Sequence, residues 1–228
     1  MSFLRLLPRS WQRRIRDYAP RGFRDPVSCG AFYDARSRLF RSDEATILEY
    51  SSRDVQQSLF ERAVDALPPR GRILDVGCGL GHLYDFIDGH GHSIASYRGI
   101  DVSPAMIAGA RARLGEREDV SFEFRDVTTS PLSPESHDVG YLISVLGYPI
   151  GGDPMRSMMT ILENVFEACA DGLVFTHLVD GRRERPLAFP TVPAELAERC
   201  ERNLGAQATV FDDGVDFTYL LRLRHPSG

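Results

Sequence analysis

The amino-acid sequence predicts an α/β fold: a doubly wound, mostly parallel sheet with helices on both faces, preceded by a helical N-terminal segment. Three observations lead there. From residue 72 onward, strand-like and helix-like patterns alternate, and strands joined through helices pair in parallel because such a crossover needs about a dozen residues. A short apolar strand, Arg72-Ile73-Leu74-Asp75-Val76, runs straight into glycines at alternate positions, Gly77, Gly79 and Gly81. Two β-patterned runs flank the turn residues Asp212-Asp213-Gly214 near the end of the chain, a hairpin that must bring one antiparallel strand.

The elements follow in order. Residues 1–41 hold ten Arg and three Asp, a charge of +7, which leaves −12 on the rest of a chain whose net charge is −5. The same segment carries Trp11, Phe23, Phe32, Tyr33 and Phe40 among many other apolar residues. That is too much apolar surface for a solvated basic tail, so the expectation is a lid docked on its own acidic domain, not an arm for nucleic acid. Val55, Leu59, Ala63 and Leu67 recur every fourth residue and predict a helix over 54–67, opened by a Ser51–Asp54 capping box. Residues 83–87 form a short helix and 93–101 a second strand. Ser103 caps a helix that opens at Pro104 and puts Met106, Ile107, Ala110 and Leu114 on one face. Val120, Phe122 and Phe124 alternate as a third strand, and 139–146 is an apolar fourth. A methionine-rich stripe from Met155 to Cys169 repeats at helical spacing and reads as core. A fifth strand over 173–179, a helix over 193–204, and the hairpin strands 208–211 and 216–223 complete the pattern. The organisation is a lid segment over 1–68 and one sheet domain over 69–228.

Composition narrows the class. Hydrophobic residues make up 43% of the 228, which suits a packed core rather than disorder. No apolar run reaches the ~20 residues that span a bilayer, and the Phe3–Leu7 run, broken by Arg5 and Pro8, is too short for a signal peptide. The expectation is a cytoplasmic protein. All 27 basic residues are arginine, a bias expected of a GC-rich bacterial genome. Cys29, Cys78, Cys169 and Cys200 lie far apart, with no ligand spacing, and His90-Gly91-His92 reads as a solvated turn. Reduced thiols and no metal are expected.

Open parallel sheets bind ligands outside the carboxyl ends of their strands. Three strands here end in acids: Asp75 before the glycines, Asp101 after Gly99-Ile100, and Asp126 after Phe124-Arg125. A glycine turn allows close backbone approach. An acid on the next strand can accept from vicinal ribose hydroxyls, and a third from an adenine amino group. Together they describe a nucleoside site. Phosphate readings fail in detail. A dinucleotide fingerprint needs G-x-G-x-x-G, and here His82 stands after a third glycine that comes one residue early; a Walker loop needs lysine, which the chain lacks.

Leu74-Asp75-Val76-Gly77-Cys78-Gly79-Leu80-Gly81 resembles motif I of the class I S-adenosylmethionine (SAM)-dependent methyltransferases. Gly99 to Ile107 resembles their ribose-holding segment, and the closing hairpin is typical of the fold. The resemblance covers residues 70–224 and implies a Rossmann-like, seven-stranded sheet of order 3-2-1-4-5-7-6, the last-numbered strand antiparallel. It also implies SAM as the cofactor. Carried over, Asp75 orders the glycine loop, and Gly77, Cys78 and Gly79 pack beneath the methionyl chain. Asp101 binds the ribose, Val102 and Met106 flank adenine, Asp126 and Val127 take the adenine edge, and Ser144 faces the sulfonium. Tyr50 to Gln56 is similar to a segment ahead of motif I in a bacterial branch of the family, where Tyr50, Ser52 and Arg53 would clamp the SAM carboxylate. A bidentate guanidinium suits that task; a capped helix start explains the same residues, and the two readings are compatible.

The sequence departs from the family after the fourth strand. Members that methylate amines carry an Asn/Asp-Pro-Pro-Tyr loop; this chain has Ser144-Val145-Leu146-Gly147-Tyr148-Pro149. Tyr148 can aim a phenol or a π face at a sulfonium. His177 is either a base or a core histidine. The leading expectation is methyl transfer to a small molecule beneath the lid, with no nucleic-acid or membrane partner. A second keeps the site but cyclises SAM to azetidine-2-carboxylate with release of methylthioadenosine. A third is a non-catalytic SAM-binding regulator.

Overall fold

A computed structural model describes residues 22–40, 44–50, 52–178, 189–211 and 218–225. The readings of Trp11 and its neighbours, Ser51, Val179 and the Asp212-Asp213-Gly214 turn lie outside these residues.

Three helices come first: α1 (Pro26–Leu39), the single turn α2 (Glu44–Ile47) and α3 (Arg53–Ala66). Strands and helices then alternate as β1 (Arg72–Val76), α4 (His82–Gly89), β2 (Ser96–Asp101), α5 (Pro104–Leu114), β3 (Val120–Phe124), β4 (His137–Leu142), α6 (Pro154–Ala168), β5 (Cys169–Leu178), α7 (Pro193–Leu204), β6 (Gln207–Phe211) and β7 (Thr218–Arg224). The seven strands stand in the order β3-β2-β1-β4-β5-β7-β6. β1 to β5 pair in parallel, whereas β7 runs antiparallel to both β5 and β6. The predicted order and the single antiparallel strand are both observed. β1 lies between β2 and β4, so the strand order reverses there, and that crevice is where an open α/β sheet binds its ligands.

Period-two alternation sorts the strands onto two cores. On one face Leu74, Leu142 and Phe175 pack with Leu162, Val165 and Phe166 of α6 and Leu196 of α7. On the other, Ile73, Val139, Tyr141 and Val174 pack with Leu59 and Ala63 of α3, Ile87 of α4 and Ile107 of α5. The methionine stripe is core as expected: Met158 and Met159 are buried against the first face.

Boundaries shift where tertiary contacts take over. The cap of α3 is Ser52, whose Oγ accepts from Val55 N–H at 3.2 Å, one residue later than the Ser51–Asp54 box placed it. Ser52 has the extended backbone a cap needs (φ −161°), so its oxygen reaches the third helical amide. The fourth strand leaves the sheet after Leu142 because Ser144 turns left-handed (φ 62°) and gives its N–H to Thr176 Oγ1. β5 starts at Cys169, directly from the end of α6. Ser103 caps α5 as predicted, accepting from Met106 N–H at 3.2 Å. Among the described residues, no helix is long and apolar enough to cross a membrane.

Candidate functional site

The site forms where β1 meets the glycine turn. Gly77 (φ 73°) and Gly79 (φ 53°) are left-handed, a conformation that disfavours residues with a Cβ. Gly77 and Cys78 donate their N–H groups to the Ile100 carbonyl at 2.8 and 3.1 Å, which ties the turn to the end of β2. There Asp101 takes the Gly79 N–H at 3.0 Å and the Ser103 N–H at 2.8 Å. Burial pushes its carboxyl up to about 6, against the pull of those amides. Asp75 is buried behind the turn and accepts the Tyr97 hydroxyl. Burial raises it to about 7, opposed by the Tyr97 hydrogen bond and reinforced by the Asp101 charge.

Above this floor lies a roof built from the N-terminal elements. α1 crosses the start of α5 so closely that a Cβ on Gly30 would stand 2.0 Å from the Val102 carbonyl oxygen. Asp34 on the same helix accepts from Ser103 Oγ at 2.5 Å and Ala105 N–H at 3.1 Å. The chain ahead of α1 is bridged to the loop after β4: Phe23 donates to Pro149 at 2.8 Å, and Gly151 donates back to Phe23 at 2.7 Å. Beneath α1, the Glu49 carboxylate accepts the hydroxyls of Tyr33 and Tyr148, with Arg36 Nη1 at 3.6 Å. Nearer the glycine turn, His82 links Gln56 (3.2 Å) to Glu44 (3.0 Å), and Glu44 also meets Arg53 at 3.5 Å.

Between floor and roof is an open cavity with about 750 Å³ of empty space, a figure that includes solvent at its mouth. It brings together Tyr50, Asp75, Gly77, Cys78, Gly79, Asp101, Val102, Met106 and Ser144 from the sequence-derived set. The others stand outside its lining. Ser52 caps α3. Arg53 has a side chain 69% exposed and faces Glu44. Asp126 closes a turn on Thr128, accepting its N–H at 2.9 Å and its hydroxyl at 2.7 Å, and Val127 is packed in the core. Tyr148 aims its phenol at Glu49 rather than into the cavity. His177 is 2% exposed, with its ring edge-on to Phe189 at 6.2 Å between centroids; burial pushes it down to about 4, partly offset by the backbone of Phe189 and Leu146.

The sequence reading missed Cys29 and Tyr33 of α1, Leu48, Gln56, Phe60, His82, Leu83, Ile143 and Val145, all of which line the cavity. His82 and Val145 adjoin recognised motifs and were within reach of that reading. Cys29 and Tyr33 lie in a helix with no local chemical signature. Among the described residues, no group of His, Cys, Asp and Glu is arranged to hold a metal ion.

At the glycine turn the cavity is walled by backbone. Side chains at the glycine turn would fill it: a Cβ on Gly77 would meet Val145 Cγ2 at 2.5 Å, and one on Gly79 would meet Leu48 Cδ2 at 2.9 Å. Asp101 and the apolar Val102 and Met106 line the same cavity. This sheet order is that of the fold shared with solved proteins named as methyltransferases. More narrowly, residues 74–175 match the family model described as a methyltransferase domain. A protein of Mycobacterium tuberculosis (strain ATCC 25618 / H37Rv) named as a methyltransferase is 43% identical over 61 residues, 27% of this chain. The match spans 36% of that protein's length. The [4+2]-cyclase SpnF superposes with a TM-score of 0.64 at 18% identity, over 90% of this chain and 98% of its own. Magnesium protoporphyrin IX methyltransferase from Synechocystis PCC 6803, with bound S-adenosylhomocysteine, gives 0.60 at 15% identity, over 94% and 100%.

Proposed function

We propose that the protein transfers the methyl group of SAM to a small-molecule acceptor held under the α1 roof. The observation that carries this reading is the cavity that joins the glycine turn, the β2 acid and the end of β4. Asp101, with both oxygens braced by backbone amides, keeps lone pairs for two ribose hydroxyls. Val102 and Met106 sandwich adenine, and Asp126 keeps Oδ2 for its amino group. Gly77, Cys78 and Gly79 let the methionyl chain lie against the backbone, and Ser144 borders the reacting sulfur. Arg53 and Tyr50 serve the carboxylate end; Arg53 exchanges Glu44 for the ligand. When bound, SAM supplies an electrophilic methyl on a sulfonium, so the protein mainly aligns the nucleophile and excludes water. The roof formed by α1 and α2 performs the exclusion. The four buried free thiols suit a reducing compartment, and we place the protein in the cytoplasm.

The test is to incubate the protein with SAM and extracts of small metabolites and to identify the nucleoside product by mass. S-adenosylhomocysteine formed in step with a methylated acceptor supports the reading. Methylthioadenosine would mean that the aminobutyryl chain reacts instead, and binding with no product would leave a regulator.

A further inference from the structure

Residues 144–149 after β4 contain no acid or amide to steer a nucleophile, yet the fold brings a carboxylate to them from elsewhere. Glu49 stands between two residues that line the cavity, Leu48 and Tyr50. Its backbone is left-handed (φ 64°). Among the described residues, three non-glycines have positive φ: Glu49, Ser144 and Glu135. Ser144 lines the same cavity, and Glu49 stands between two residues that do. Strain persists where the surroundings over-determine it, and it gathers at functional sites. Here the surroundings are explicit. Glu49 Oε2 accepts from Tyr33 at 3.1 Å and also from Tyr148, while Oε1 lies 3.6 Å from Arg36 Nη1. Arg36 is fixed in turn by donating Nε–H to the Ile47 carbonyl at 2.8 Å.

Tyr33 is the member of this group that lines the cavity. Its hydrogen is committed to Glu49, so toward a ligand its oxygen can only accept. Such an oxygen favours a group that carries N–H or O–H. We propose that Tyr33 is a catalytic residue that receives the proton of an attacking amine or hydroxyl acceptor, with Glu49 behind it as the proton sink. The inference rests on the methyl-transfer reading and names the acceptor class for it. The acceptor's N or O lone pair forms the bond to the methyl carbon as the C–S bond breaks, and that electron pair goes to sulfur, leaving S-adenosylhomocysteine. The acceptor's proton passes to Tyr33 Oη while the proton already on Tyr33 passes to Glu49 Oε2. Glu49 ends as a neutral acid and returns its proton to solvent after product leaves. Burial, and then the Glu49 charge, raise the Tyr33 phenol well above its ordinary value; a free phenolate is therefore avoided and the two transfers are concerted. Tyr148 and Arg36 are positioning residues that hold the carboxylate toward Tyr33.

Two probes test this by calorimetry: S-adenosylhomocysteine, and sinefungin, the SAM analogue with an amino group on carbon in place of the methyl on sulfur. The ammonium of the analogue occupies the transfer position and donates to Tyr33 Oη, in the field of Glu49. The full-length protein should prefer the analogue by about 10-fold or more. Tyr33→Phe and Glu49→Gln should each erase most of that preference and leave S-adenosylhomocysteine affinity unchanged. An unchanged preference in the folded variants, or parallel loss of both ligands, overturns the proposal. If Tyr33→Phe does not fold, Glu49→Gln, which keeps shape and acceptor capacity, decides. Failure of the unmodified protein to bind S-adenosylhomocysteine at all would instead sink the cofactor reading beneath it.

Discussion

The floor of the cavity is built of backbone and the roof of side chains. On the floor, the glycine turn, the Ile100 carbonyl and the amides around Asp101 are set by the parallel ladder of β1 and β2. In the roof, α1 and α2 are held by Asp34, Glu49 and Glu44, whose partners are side chains and amides on other elements. A ladder is cooperative with the whole sheet, whereas a few part-buried hydrogen bonds are worth about 1 kcal/mol each. A floor cannot open without unfolding; a roof held this way can lift to admit ligand.

The sharpest way to break that contrast is to add one methyl group to each wall. Gly77→Ala puts a Cβ into Val145 at a left-handed position. We expect a loss of about 2–5 kcal/mol in stability from conformation and overpacking, seen in denaturant melts, together with loss of SAM binding. A Gly77→Ala variant that melts normally would mean the floor is as adaptable as the roof. Within the floor, Asp101→Ala should weaken SAM by about 10–150-fold in a protein that still folds; calorimetry with unchanged affinity would remove Asp101 from the site. Gly30→Ala forces α1 away from the Val102 carbonyl. Its expected effect is a fall in turnover of about 10–100-fold from misplacement, with the sheet domain still melting cooperatively. Equal loss of stability in Gly30→Ala and Gly77→Ala would erase the distinction between the walls.

Asp75 adds a pH dependence that belongs to the floor alone. Its folded value is raised to about 7 from 3.8, so the folded protein keeps a proton that the unfolded chain has released. The stability this proton contributes is full below 3.8 and is lost as pH rises through about 7. Ligand-free protein should therefore lose stability across that window, and Asp75→Asn should flatten the profile; equal slopes in thermal melts of both would refute the assignment. The smallest effect is expected in the roof, at Arg53. Its ion pair with Glu44 is exposed, and such pairs contribute about 1 kcal/mol or less. Arg53→Lys should weaken SAM by about 2–5-fold and leave methylthioadenosine, which lacks the carboxylate, unaffected. Equal loss for both ligands would assign Arg53 to the helix start alone.

How far each wall could be read beforehand follows the same division. The floor was legible in Leu74 to Gly81 and Gly99 to Met106, because left-handed turns favour glycine and an acid at a strand end can hold the neighbouring amides. Ser103 and Pro104 announced α5 by the same local logic. The two catalytic candidates fared differently. Tyr148 and His177 have chemically able side chains, but the fold commits the Tyr148 hydroxyl to Glu49 and buries His177 beside Phe189. Nothing local to either residue states which way it faces.

The sequence by itself determined the sheet, its order through family resemblance, and the glycine turn. Each of these depends on residue period or on a residue type required within a few positions. Tertiary structure alone decided what lies across the cavity from that turn. Tyr33 meets Glu49 across 16 positions, Asp34 meets Ser103 across 69, and Tyr148 meets Glu49 across 99. A carboxylate just past a helix has the same local pattern whether it is solvated or gathers two phenols, and only the packing of α1 against the β4 loop separates the two.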